Sequence, residues 1–201
     1  ISSLRYTSVA SSTLLVNFHP LIVGAASVLI LKESSKKTVV GVAIGFVGVA
    51  VIALTGLGTG ESFGNALALL GGVMAALYIL AGRMLRRTLG IFTYAFAVYF
   101  TAAVALLGSA VINGVPLWPY PAGEILIFLA LAVVCTIFGH TVYNWSLKYL
   151  AAPVISTSLL GEPILASLLA LVLLGEVPAW TVVLAAPLVI VGIGLTALDR
   201  K

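Results

Sequence analysis

Seven long apolar runs, at residues 9–31, 38–54, 65–82, 91–112, 125–147, 152–174 and 180–198, occupy most of this chain. A hydrocarbon core about 30 Å thick is crossed by about 20 residues of helix rising 1.5 Å each, so each run reads as a transmembrane helix. The stub at 1–7 reads as the tail of an earlier one. Only 8% of the 201 residues are charged and 62% are apolar, with a mean hydropathy of +1.24. That is too little charge to coat a water-exposed surface, which excludes soluble enzyme folds, disordered tails and extended nucleic-acid surfaces. Outer-membrane barrels are excluded because their strands alternate apolar and polar residues over about ten positions, whereas these runs are unbroken. The expected fold is therefore all-α, a polytopic membrane helix bundle. Its connections are too short to hold a separate soluble domain.

The lone Cys135 lies inside an apolar run, so no intrachain disulfide and no thiol cluster of metal-ligand spacing is available. Neither a metal nor a cofactor is expected. The ten bases are too few and scattered to track a phosphate backbone, and no nucleic-acid partner is expected. They report orientation instead. Lys32, Lys36, Lys37, Arg83, Arg86, Arg87, Lys148, Arg200 and Lys201 fall on one side of the spans, and only Arg5 on the other. The bias of Lys and Arg toward cytoplasmic loops places the loops after the first, third and fifth spans, and the C-terminus, in the cytoplasm of an inner or plasma membrane. Trp118, Tyr120 and Trp180 then fall at the outer interface, where aromatic belts form.

The segment Ser3-Leu4-Arg5-Tyr6 recurs as Ser146-Leu147-Lys148-Tyr149, an offset of 143 residues, and the same offset carries Pro20 to Pro163 and Glu33 to Glu176. With one inserted residue, Gly48 falls on Gly192 and Ala53-Leu54 on Ala197-Leu198. Five spans separate equivalent points, and an odd number inverts the second copy across the membrane. Inverted repeats of this kind belong to secondary transporters, whose sites lie near the midplane where the repeats meet.

The two runs SLRYTSVASSTLLVNFHPLIVGAASVLILKE and SLKYLAAPVISTSLLGEPILASLLALVLLGE, each followed by a Gly-rich helix, resemble the EamA-like branch of the drug/metabolite transporter superfamily. The resemblance covers essentially the whole chain. It implies a ten-helix fold of two inverted five-helix repeats, usually an exporter or permease for amino acids or other small metabolites. On that template residues 1–54 are the C-terminal part of the first repeat, from the end of helix 3 through helix 5. Residues 65–198 are the second repeat, helices 6 to 10, and the first two and a half helices precede Ile1. The implied partners are a small-molecule substrate and the lipid bilayer, and a homodimer is compatible with the reading.

Polar residues within the spans are the candidate site. Glu162 is at the midpoint of its run, where an acid costs about 2.5–3.5 kcal/mol on insertion scales; a proton-carrying or cation-pairing role competes with a structural hydrogen bond between helices. His19 holds the equivalent place in the first copy, also just before a proline. A bridging hydrogen bond is the commoner fate of such a histidine, but the repeat symmetry points to a pocket shared with Glu162. Pro20 and Pro163 remove backbone donors and free the carbonyls of Val16 and Leu159, either to bind a ligand or to shape a kink. Thr136, His140, Tyr143, Asn144 and Leu147 share one face at α-helical spacing, lining a path or knitting helices together. Ser158, one turn before Glu162, and Ser12, two turns before His19, are lining candidates, as are Tyr78, Tyr94 and Tyr99. Gly41, Gly45 and Gly48, and Gly71, Gly72 and Ala75, form small faces for close packing. Gly56, Gly58 and Gly60 read as an outer turn.

The function expected from these residues is a secondary transporter working by alternating access at a mid-membrane site. A non-transporting membrane scaffold is the alternative. An intramembrane enzyme is disfavoured, since one mid-span acid and two histidines supply no catalytic set.

Overall fold

The computed structural model describes residues 2–32, 35–53 and 62–199. Glu33 of the repeat, the glycines of the outer turn, and Arg200 and Lys201 of the basic tally lie outside the described residues. Seven described helices are long and apolar enough to cross a membrane: Ser11–Leu31, Lys36–Ala53, Ser62–Leu85, Ile91–Ile112, Ala122–Ser146, Ala152–Leu174 and Trp180–Ala197. No strand occurs among the described residues. Span boundaries lie within a few residues of those read from hydropathy, because the charged and Gly/Pro clusters that interrupt the apolar runs also end the helices.

Three of the spans are broken. The first consists of α1 (Val9–Val16), α2 (His19–Ala26) and a π-turn at Ser27–Leu31. After α3 (Lys36–Ala53), α4 (Ser62–Leu85) and α5 (Ile91–Ile112), the fifth span runs as α6 (Ala122–Ala130), a π-helix at Leu131–His140 and α7 (Thr141–Ser146). The sixth is α8 (Ala152–Ser158), a 3-10 turn at Leu159–Gly161 and α9 (Glu162–Leu174); α10 (Trp180–Ala197) closes the chain.

The chain divides into two compact units, Ile1–Ala81 with Leu150–Lys201, and Gly82–Tyr149. In the first, α3 and α10 form the tightest seam, and its glycines set the spacing. A methyl group on Gly192 would stand 2.6 Å from the Gly45 amide nitrogen and 2.7 Å from the Gly41 carbonyl oxygen. Gly48 meets Val189 and Ala185 in the same way. Higher numbers on α3 therefore face lower numbers on α10. The helices run antiparallel, as inverted copies require. Val49, Leu160 and Val189 make the core beside this seam, with Leu14, Ile164 and Ile193 packed on it.

A second mark of the repeat lies in the backbone. Lys32, the non-glycine residue of positive φ (53°) among those described, ends the first span, and Gly175 (φ 70°) ends α9; 175 minus 32 is 143, the offset of the sequence repeat. Both spans stop on a left-handed cap, the conformation glycine adopts at lowest cost.

Asp199, just beyond α10, clasps the start of α3. Its Oδ2 accepts from the Ser35 amide at 3.0 Å, from the Ser35 hydroxyl at 2.6 Å and from the Thr38 hydroxyl. Ser35 Oγ in turn accepts from the Lys37 amide at 3.1 Å, so the clasp is a helix N-cap joined to a carboxylate at the positive end of the α3 dipole. These bonds, that of the Ser35 hydroxyl foremost, hold the Asp199 carboxyl below its ordinary range. A depressed carboxyl stabilises the fold above the unfolded-chain value near 4 and loses that contribution as pH falls through the lower folded value. Asp199→Asn is expected to cost about 0.5–1 kcal/mol at neutral pH, as caps do, and progressively less as pH is lowered below the unfolded-chain value near 4. Thermal unfolding in detergent across that pH range measures the difference.

Candidate functional site

The two proline-bearing spans break at equivalent places. In the first, Asn17 ends α1 by turning its own side chain back, Nδ2 donating to the Thr13 carbonyl at 2.9 Å, and Pro20 cannot continue the ladder. The Val16 carbonyl freed by Pro20 accepts from His19 Nδ1 at 3.1 Å. Gly72 of α4 presses on the same turn; a methyl there would stand 2.9 Å from the Val16 oxygen. Phe18 anchors the break to α3, packing edge-on to Phe46 with ring centroids 5.7 Å apart. In the second copy the Leu159 carbonyl accepts from the Glu162 amide. Both freed carbonyls thus have partners within the chain, and the prolines build kinks.

His19 and Glu162 have opposite surroundings. His19 is 4% exposed, at the head of α2, which packs against α3 and α8. Glu162 opens α9 and is exposed, and its carboxylate has no hydrogen-bond partner among the described residues. Their backbones obey the repeat, while their side chains differ in exposure. Ser158 is exposed beside Glu162 and donates to the Ile155 carbonyl at 2.7 Å. Ser12 is buried and bonded to Ser3 Oγ at 2.8 Å, so it ties the N-terminal 3-10 turn to α1.

In the second unit the π-helix rewrites the polar face. Its i→i+5 bonding brings Thr141 over Thr136. Thr141 Oγ1 bonds to the Thr136 carbonyl at 3.2 Å, and Tyr99 of α5 reaches Thr141 Oγ1 at 3.0 Å and that carbonyl at 3.4 Å. His140 is exposed, Tyr143 half-buried and Asn144 buried. The members of the stripe expected from sequence thus differ in exposure, and Thr141, which α-helical spacing passed over, joins them. The signal was the Thr136–Thr141 interval, which only a π register brings to one face.

Two arginines read as topology markers also carry structural bonds. Arg86 is 2% exposed; its Nε donates to the Asn144 carbonyl at 3.0 Å and its Nη1 to the Leu89 carbonyl. Arg83 Nη1 donates to the Leu147 carbonyl at 2.8 Å and the Lys148 carbonyl at 3.0 Å. Cations on the last carbonyls of a helix satisfy the orphaned acceptors and the negative end of the dipole. Arg86→Ala strips a buried carbonyl of a charged donor and is expected to cost about 2–3 kcal/mol. Arg86→Lys should recover little, because an ammonium cannot span the guanidinium's two acceptors. Detergent unfolding midpoints of the pair check this.

No group of three or more His, Cys, Asp or Glu residues that could hold a metal occurs among the described residues.

Comparison with known proteins places this architecture. A protein of Clostridium kluyveri called an uncharacterized transporter is 26% identical over 198 residues, 94% of this chain. The chain spans 64% of that relative's length. A crystal structure of another protein, 23% identical, superposes with a TM-score of 0.80 over 98% of this chain and 70% of that one, a likeness of fold. The profile of the EamA-like transporter family matches residues 62–198. With seven membrane-spanning helices, an inverted repeat and that match over most of its length, the chain belongs to the EamA-like transporter family and is part of a multi-pass membrane protein.

Proposed function

We propose that the protein bearing this chain is a secondary transporter of small metabolites such as amino acids, and that Glu162 binds its proton or its cationic substrate. The observation that carries this reading is a carboxylate at mid-span, at the head of the half-helix α9, exposed and without a partner among the described residues. An acid costs about 2.5–3.5 kcal/mol at that depth on insertion scales and is retained where it faces water, protein or a ligand. Half-helices joined by a break at the midplane are where transporters of inverted topology build their sites, and α2 and α9 both begin at such a break.

Residues 65–198 read as one five-span repeat, supported by the family match to 62–198, and residues 1–54 carry spans equivalent to its last two. Ser158 lines the approach to Glu162, and Pro20 and Pro163 set the kinks. Thr136, Tyr143 and Asn144 hold the π-helical span in register against its neighbours, while His140 stands on its exposed face as a further binding candidate. The Lys and Arg bias supports an inner or plasma membrane with a cytoplasmic C-terminus. Counterflow of a metabolite panel in liposomes, with full-length protein and Glu162→Gln at two pH values, tests the reading. Unaltered transport and pH dependence in the variant would refute the Glu162 assignment.

A further inference from the structure

One end of the second unit carries charge that the unit does not balance. Gly82–Tyr149 contains four bases, Arg83, Arg86, Arg87 and Lys148, all at one end of its helices, and one acid, Glu124, in the first turn of α6 at the other end. Arg83 and Arg86 donate to carbonyls, which are dipoles and leave the positive charge standing. Lys148 joins this end to an aromatic pair. Its carbonyl accepts from Arg83 Nη1 at 3.0 Å, its ammonium stands 5.9 Å from the centroid of the Tyr149 ring, and that ring lies 4.8 Å from the Trp145 ring between centroids. All three side chains are exposed, as is Val142, one turn before Trp145 on the same face of α7. Trp and Tyr rings settle at the headgroup level of a bilayer. The ammonium is thereby held at phosphate depth, above an apolar stripe that an acyl chain can cover.

Topology alone does not account for this group. The Lys and Arg bias explains Lys148 but not Arg5, its equivalent at the offset of 143, which is the one base on the opposite side of the spans. The repeat keeps a base before the tyrosine in both copies. The two tyrosines are used differently: Tyr6 packs edge-on to Phe63 with centroids 5.2 Å apart, whereas Tyr149 stays at the surface beneath the Lys148 ammonium.

We propose that Lys148, with Arg83 behind it and Trp145 and Tyr149 beside it, binds the phosphate of an anionic phospholipid whose acyl chain lies along Val142. The lipid supplies the negative charge that this end of the unit lacks. The site depends on the membrane-spanning fold and not on the transporter reading.

The test uses full-length protein that keeps Trp145 as its one tryptophan, in vesicles of phosphatidylcholine and phosphatidylglycerol with bromine on the acyl chains of one lipid or the other. Quenching of Trp145 by each gives the association constant of phosphatidylglycerol relative to phosphatidylcholine. That ratio is expected to be about fivefold, the factor that one base near a membrane surface carries. Lys148→Gln should bring it close to one, and Lys148→Arg should keep it. Arg87→Gln, which takes an equal charge from the same end, should lower it less than about twofold, since exposed charges are screened within a Debye length. A variant that shifts the span alters quenching by both lipids, so the ratio reports the site and not the fold. A ratio of one in the unmodified site overturns the proposal. So do equal losses in Lys148→Gln and Arg87→Gln, which mark a diffuse field, and so does loss of the preference in excess inorganic phosphate at constant ionic strength, which makes free phosphate the ligand.

Discussion

Glu162→Gln is expected to lower metabolite transport at least about tenfold and to flatten its dependence on pH, while leaving the folded protein as stable as before. The two halves of this expectation have one cause. The carboxylate opens α9 exposed and without a hydrogen-bond partner among the described residues, so its removal breaks no contact within the chain. The change does remove the one acidic or basic side chain within residues 152–174. A structural glutamate behaves in the opposite way: the amide would destabilise the fold and leave the pH profile alone. Glutamine keeps the shape and an acceptor, so a ligand held by shape alone would still move. Glu162→Asp keeps the charge but withdraws it by one methylene, and should retain pH dependence with weakened substrate affinity. Initial rates in liposomes across pH 6 to 8, set beside unfolding midpoints of the same variants, separate the cases. Full transport by Glu162→Gln with its pH profile intact would mean that the charge serves some other purpose.

Much of this architecture is legible in the sequence because lipid imposes a coarse and strict rule: helices of fixed length with few charges. The spans, the inverted repeat and the small-residue faces all follow from that rule and from the offset of 143. What was not legible depends on backbone register and on which way a side chain turns. At 3.6 residues per turn Thr141 lies off the face of Thr136, and the π-helix at Leu131–His140 brings it in. His19 and Glu162 differ in exposure for a related reason. Repeat symmetry equates the positions of two residues along their spans but not their neighbours: α2 is enclosed by α3 and α8, whereas α9 starts on an exposed face. Arg86 reads from sequence only as a topology marker, and nothing in the sequence added that it is buried on the Asn144 carbonyl.

Gly192→Ala is expected to be the most damaging single-methyl change in the first unit, costing about 3 kcal/mol or more, while Gly194→Ala on the same helix should be neutral or slightly stabilising. Both substitutions gain up to about 1 kcal/mol of helix propensity, so the contrast isolates packing. At Gly192 the methyl would meet three backbone atoms of α3, 2.6 Å from the Gly45 nitrogen, 2.7 Å from the Gly41 oxygen and 2.7 Å from the Gly45 Cα. Backbone cannot step aside as a side chain can. The helices must separate along the seam, giving up the dispersion contacts that drive association in lipid and lifting Val189 from Val49 and Leu160. At Gly194 nothing lies within 4 Å. Equilibrium unfolding in mixed micelles should rank the variants Gly194→Ala, wild type, Gly192→Ala in falling stability, and Gly192→Val should fail to accumulate in the membrane. If Gly192→Ala and Gly194→Ala unfold alike, close approach of α3 and α10 does not hold this unit together, and the antiparallel seam joining the two copies of the repeat loses its main physical support.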